Sequence, residues 1–380
     1  MKLLLPVLCF VLMSAVQVSG QTWVVNPDGS GDALTIQQGV LSSSEGDSIL
    51  VTSGTYYEKD ILVQKGRTLR SLSGDPSSVT IDGQGGGRCF SVESTADSTS
   101  KIEGFTVTGG YASSSGGGAM FLSAHSIVIR NCIFVGNFAQ TGGAIECRQC
   151  SPTIEHCTFE NNSTSNSGGA MYFWQAPANI SHCNFYSNHA NSGGAMTLSE
   201  SSPTITYCVF SGDSSESRGG ALLCDYSSSP TVSYCTFANE DFTSHDSGTI
   251  HLSHSSSATF ENCIIAFGRS TSIMGEGVGI YCDVGITPTL TCCDVFGNPG
   301  GDWVGCIAGQ AGNGGNFSAD PRFCDMPRFG LGLEDCSPCL PGYHPSGYDC
   351  GGIVGAFGVD CACGAALVPT TWGSIKAMHK

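Results

Sequence analysis

The densest run of titratable side chains is Asp241, His245, Asp246, His251 and His254, one repeat unit after Asp225. A histidine beside a carboxylate is the minimum equipment for abstracting a proton, because the carboxylate fixes the imidazole tautomer and stabilises its charged form. Asp225, Asp246, His251 and His254 are therefore candidate catalytic residues, although a polar turn leading into a solvated strand would place the same side chains without any chemistry. A second set, Glu146, Arg148, Tyr172 and Trp174, combines aromatic faces with charge, which is how an open groove grips sugar rings. The third set is the cysteines, 21 in all. Cys147-Arg148-Gln149-Cys150 has the spacing of half a zinc site or of a redox pair. No second pair follows at a suitable distance, so no metal is assigned.

The elements that hold these residues are set by a repeat. Gly118, Gly143, Gly169, Gly194, Gly220 and Gly248 recur at intervals of about 25–28 residues, each opening a short alternating segment. Cys132, Cys157, Cys183, Cys208, Cys235, Cys263 and Cys293 keep nearly the same beat, with a phenylalanine two positions after each of the first five. Periods of this size mark stacked units that cannot bury an apolar face alone, and the long 3.6-residue pattern of helical repeats is missing. Three strands per unit are expected: one after Gly-Gly-Ala, one carrying Ile129, Ile154, Ile180 and Ile205, and one carrying Cys and Phe, with a bend before each Cys and a polar turn closing the unit. Parallel strands stacked roughly 4.8 Å apart align like residues in internal files. The predicted fold class is an all-β, right-handed parallel β-helix with a short helical cap at its start and a Cys-rich cap at its end.

Alternation sends Phe121, Glu146, Tyr172 and His251 outward in one column and Arg148, Trp174 and Asp225 in the next, so both candidate sites share one exposed face. The Cys column points inward instead. Parallel Cβ vectors on adjacent coils hold Cβ atoms wider than a relaxed disulfide prefers, so buried free thiols are expected there.

The run Gly142-Gly143-Ala144-Ile145, followed by Cys157-Thr158-Phe159 and Asn162, resembles the repeats of right-handed parallel β-helix proteins, including those of polymorphic outer-membrane proteins. The opening segment, through Leu34-Thr35-Ile36-Gln37-Gln38, Gly54-Thr55-Tyr56 and Ile81-Asp82-Gly83, is similar to the first coils of the pectate-lyase-like superfamily. Catalysis in that superfamily uses paired carboxylates for glycoside hydrolysis, or Ca²⁺-binding carboxylates with a base that attacks beside a uronate. The polygalacturonase-like sets Asn-Thr-Asp, Asp-Asp, Gly-His-Gly and Arg-Ile-Lys are missing, and Ser374-Ile375-Lys376 matches the last only superficially. The segment Asp320-Pro321-Arg322-Phe323-Cys324, Ser337-Pro338-Cys339, Cys350-Gly351 and Gly355 to Cys361 looks like the terminal cap of secreted bacterial β-helix proteins.

Residues 1–20 read as a secretory leader, with Lys2 before an apolar stretch and small residues near Gly20. Residues 21–298 form the β-helix, 299–366 the Gly- and Cys-rich cap, and 367–380 a short tail of helical spacing. No apolar run long enough to span a membrane follows the leader. An exported, loop-rich segment suits disulfides, and the candidates are Cys324, Cys336, Cys339, Cys350, Cys361 and Cys363, with Cys339–Cys350 and Cys324–Cys361 the favoured pairs. Zinc is the competing reading, with His344 the only nearby imidazole. A formal charge of −17 excludes nucleic acid as a natural partner. The leading function is an extracellular or cell-surface, non-catalytic module that binds a polysaccharide or other glycan. The alternative is a polysaccharide lyase or glycoside hydrolase. No cofactor is expected for the first, and Ca²⁺ would accompany a lyase.

Overall fold

The computed structural model describes residues 20–92, 95–124, 126–244, 247–270, 278–324 and 331–363. The leader up to residue 19, His245, Asp246 and the tail from 364 onward lie outside the described residues. The chain winds into a right-handed parallel solenoid of about 12 turns. Its strands stack in register: Met120, Ile145, Met171, Met196 and Leu222 pair along the front sheet, and Ile129, Ile154, Ile180 and Ile205 along an isoleucine sheet. Phe134, Phe159, Phe185, Phe210 and Phe237 pair along a phenylalanine sheet, with ring centroids 4.5–5.1 Å apart and planes within 10°. Each ring is fully buried and contributes roughly 1.5–3 kcal/mol by leaving water.

From Tyr111 to Ser270 each coil has four strands rather than three. The stretch expected as a polar turn forms its own seven-stranded parallel sheet, built from Phe138–Thr141, Ser163–Ser167, His189–Ser192, Ser214–Arg218 and their neighbours. Its inward residues Ala139, Thr164, Ala190 and Ser215 are too small or polar to print an apolar alternation, so the strand is silent in the sequence. We call this the serine sheet.

Corners are made by single left-handed residues. Between the isoleucine and phenylalanine sheets stand Asn131, His156, His182, Tyr207, Tyr234, Asn262 and Cys292, all with φ between 50° and 54°. At the corner before the front sheet the backbones crowd. A Cβ on Gly143 would lie 2.1 Å from the carbonyl oxygen of Gly169, and one on Gly169 would lie 1.9 Å from that of Gly194. Only glycine fits such stacking.

The helix Ile36–Ser42 covers the first coils, capped by Thr35 and by the Glu58 carboxylate, which accepts from the amides of Ile36 and Gln37. At the far end Trp303 and Ile307 close the main core, while the Cys-rich segment lies along the outside of the phenylalanine sheet: Leu331, Phe323 and Phe357 pack on Tyr186, Val209 and Ala238.

Five disulfides form among the described residues. Cys324–Cys361 is as expected, and Cys336 pairs with Cys363. Cys339–Cys350 does not form. Cys350 sits over the last isoleucine-sheet corner and bonds Cys292 there, whereas Cys339 is drawn into the apolar contact between the Cys-rich segment and the solenoid, and its buried thiol faces the Asp294 carboxylate at 3.4 Å. Cys147–Cys150 and Cys282–Cys306 complete the set. The seven-member column is free and buried, and its thiols donate to carbonyl oxygens of the preceding coil, as Cys183 does to Ile154 at 3.6 Å. No helix among the described residues is long and apolar enough to cross a membrane. With the disulfides, this is compatible with an extracellular protein.

Candidate functional site

The outer surface of the front sheet meets the serine sheet at the double-glycine corner, so its two outward columns have different surroundings. The first lies in the crease. Glu146, expected as exposed charge, is completely buried there: Thr141 donates to one carboxylate oxygen at 2.5 Å and Arg148 pairs with the other. Thr197, Leu223 and His251 in the same column are also buried. Sequence alternation reports which way a side chain leaves its own strand, not what the adjoining sheet places over it.

The second column forms the lip. Arg148 is exposed, and its guanidinium lies 5.6 Å from the centre of the Phe121 ring, with Arg88 at 5.4 Å. Arg88 is held by the Gly116 and Gly117 carbonyls and the Ser115 hydroxyl. Tyr172 and Trp174 follow on the next coil, opposite Glu146 and Arg148, each half-buried. Burial pushes the Tyr172 phenol up. Phe121, Arg148, Tyr172 and Trp174 thus line one continuous strip across adjacent coils. The role of Phe121, with a cation over its ring, was not read from the sequence; its column membership was the only signal.

Three of the four candidate catalytic residues come together further along this face. Asp225 Oδ1 takes the His254 Nδ1 at 2.5 Å, the Ser253 hydroxyl at 2.8 Å and the Tyr226 amide at 3.0 Å. His254 is exposed and stacks on Tyr226, centroids 4.8 Å apart. His251 is different. It is buried in the crease, its Nε2 lies 3.3 Å from Asp283 Oδ1, and burial pushes its pKa below the ordinary imidazole value despite that carboxylate. Only their places in neighbouring outward columns link Asp283 to His251 in the sequence. A shallow cavity of about 640 Å³ opens beside His254 and Asp283, between the turn that runs from His254 to Ser257 and the one from Asp283 to Thr287.

Asp225 and Asp283 each spend an oxygen on a histidine, and Asp225 Oδ1 is already saturated by donors, so this set does not form the oxygen cage Ca²⁺ needs. Among the described residues one trio, Glu334, Cys336 and Cys363, is close enough to hold a metal, but its two sulfurs are joined in a disulfide. His344 spends Nε2 on the Gly315 carbonyl at 2.9 Å. In the cap the zinc reading gives way to disulfides.

A family model described as a right-handed beta helix region matches residues 91–242 and 190–313. No curated protein matches the sequence.

Proposed function

The chain belongs to the right-handed β-helix family, and from that premise we propose that it is an exported, non-catalytic module that binds an extended carbohydrate lengthwise along the front sheet. One observation carries this reading: Phe121, then Arg148, then Tyr172 with Trp174 stand on three successive coils, the three rings half-buried and held in place by their own strands. Aromatic side chains fixed by a rigid sheet lose little freedom when a sugar stacks on them, and the guanidinium supplies directional donors to hydroxyl or carboxylate oxygens. Export rests on the leader-like first 20 residues and on a disulfide-rich C-terminal region.

The pairing of His254 with Asp225 beside a cavity favours a second reading, a polysaccharide lyase or glycoside hydrolase. In it Asp225 keeps the proton of His254 on Nδ1 and leaves Nε2 as the base. The two readings part in one experiment. The purified protein is screened on a glycan array and then assayed for β-elimination and hydrolysis on the bound polymers, with and without Ca²⁺. Binding lost in Trp174→Ala without turnover in any sample supports the module. Turnover that disappears in His254→Ala and Asp225→Ala makes the enzyme the correct reading.

A further inference from the structure

Where the phenylalanine sheet turns into the serine sheet, each of five consecutive coils buries one polar side chain: Asn137, Asn162, Asn188, Asp213 and Glu240. The amides follow a strict rule. Each Nδ2 donates to the Oδ1 of the next residue in the file, at 3.0, 3.1 and 2.8 Å. Each also donates to the carbonyl of the middle phenylalanine-sheet residue one coil before, which is Val107, Phe134 and Phe159 in turn, at 3.0, 2.9 and 3.0 Å.

Asp213 takes over only the accepting half of this rule. Its Oδ1 receives the Asn188 amide and the Asn188 Nδ2, both at 2.8 Å. Its Oδ2 is buried and accepts from no donor. By the file's register Oδ2 stands where the asparagines carry their NH₂, and the carbonyl assigned to it belongs to Phe185, itself an acceptor. Two acceptors in those places need a proton between them. Glu240 comes next, completely buried, with neither carboxylate oxygen in a well-formed hydrogen bond. Among the described residues no cationic side chain bonds either carboxylate. The charges that face it are each other, Asp241 on the following strand and the Tyr186 phenol on the phenylalanine sheet. Arg269 is bonded to Asp241, and the front sheet turns Leu222, Cys224, Thr249 and Ile250 inward.

We propose that Asp213 and Glu240 are a proton-binding site inside the solenoid: the folded protein takes up protons there, Asp213 donating from Oδ2 to the Phe185 carbonyl, and their loss loosens the coils that carry Asp225 and His251. Burial pushes Asp213 up to about 7. Burial, and then the charge of Asp213, pushes Glu240 well above the ordinary carboxylate range. Both folded values lie above the unfolded ones, so the folded state holds extra protons between them. Stability is therefore full below the unfolded carboxylate range and falls as pH rises from there through about 7 for Asp213, continuing upward for Glu240. Carboxylates paired with cations give the opposite slope.

The test is thermal unfolding from about pH 4 to pH 8 of the full chain, Asp213→Asn, Glu240→Gln and the double variant, with infrared spectra of each near pH 6. The wild type should lose several degrees of Tm across this range. Asp213→Asn restores the missing donor, so it should raise Tm at the alkaline end and remove much of the slope, and the double variant should be nearly flat. A protonated-carboxyl band should be present in the wild type and gone from the double variant. A wild-type slope retained in full by both Asp213→Asn and the double variant would overturn the proposal. So would a Ca²⁺-induced rise in wild-type Tm at pH 8 equal to that produced by Asp213→Asn, since a cation would then occupy the place assigned to the proton.

Discussion

At the scale of single residues, the Cys157, Cys183 and Cys208 thiols are fully buried, and each donates to an isoleucine carbonyl of the coil before it. They were expected inside as free thiols, and they are unbridged. Packing against their own column decides that, and the column is written in the spacing. Thiol reagents should therefore leave the ten described free cysteines unlabelled in the native protein and react with them only after unfolding; rapid labelling of the native chain would put the column outside. Glu146 failed for the opposite reason. Its burial depends on Thr141 and Arg148, and on a neighbouring sheet that the sequence does not announce. The same holds for Cys339 and Cys350, whose partners are decided by how the Cys-rich segment lies on the solenoid rather than by their spacing along the chain.

At the scale of elements, the glycine corners explain why the repeat is so strictly kept. Each second glycine cedes its Cβ space to the carbonyl of the glycine one coil on, from Gly118 to Gly194. Overpacking of a rigid backbone stack cannot be relieved by a rotamer change, so Gly143→Ala should lose about 3 kcal/mol of stability, the upper end of the usual overpacking cost. Gly309→Ala, at a position with open space around it, should be near neutral. Denaturant titration of both variants measures this, and equal losses would refute the stacking argument. The serine sheet teaches the converse lesson: a strand whose inward positions are Ala, Thr and Ser carries no alternation to read, and its existence follows only from closing the coil. The Asn file beneath it supplies the order that apolar residues supply elsewhere.

At the scale of the molecule, a solenoid offers a long face on which coils repeat about every 4.8 Å, and a ligand that is itself a repeating chain gains contacts as it spans more of them. The N-terminal helix covers one end, Trp303 and Ile307 the other, and the Cys-rich segment the phenylalanine flank, so the front sheet with its crease stays open along its length, as do the outer faces of the isoleucine and serine sheets. The sequence placed Tyr172 and Trp174 on that face and brought Asp225, His251 and His254 to it, while the crease that buries half of the face came from the unseen fourth sheet. Calorimetric titration with oligosaccharides of increasing length, drawn from the polymer that the array selects, addresses the groove directly. Affinity should climb with chain length until the ligand spans the Phe121 to Trp174 strip, then level off, and should drop at least about tenfold in Trp174→Ala for the longest ligand while short ones change little. Affinity independent of length, or unchanged in that variant, would contradict a glycan lying along the front sheet.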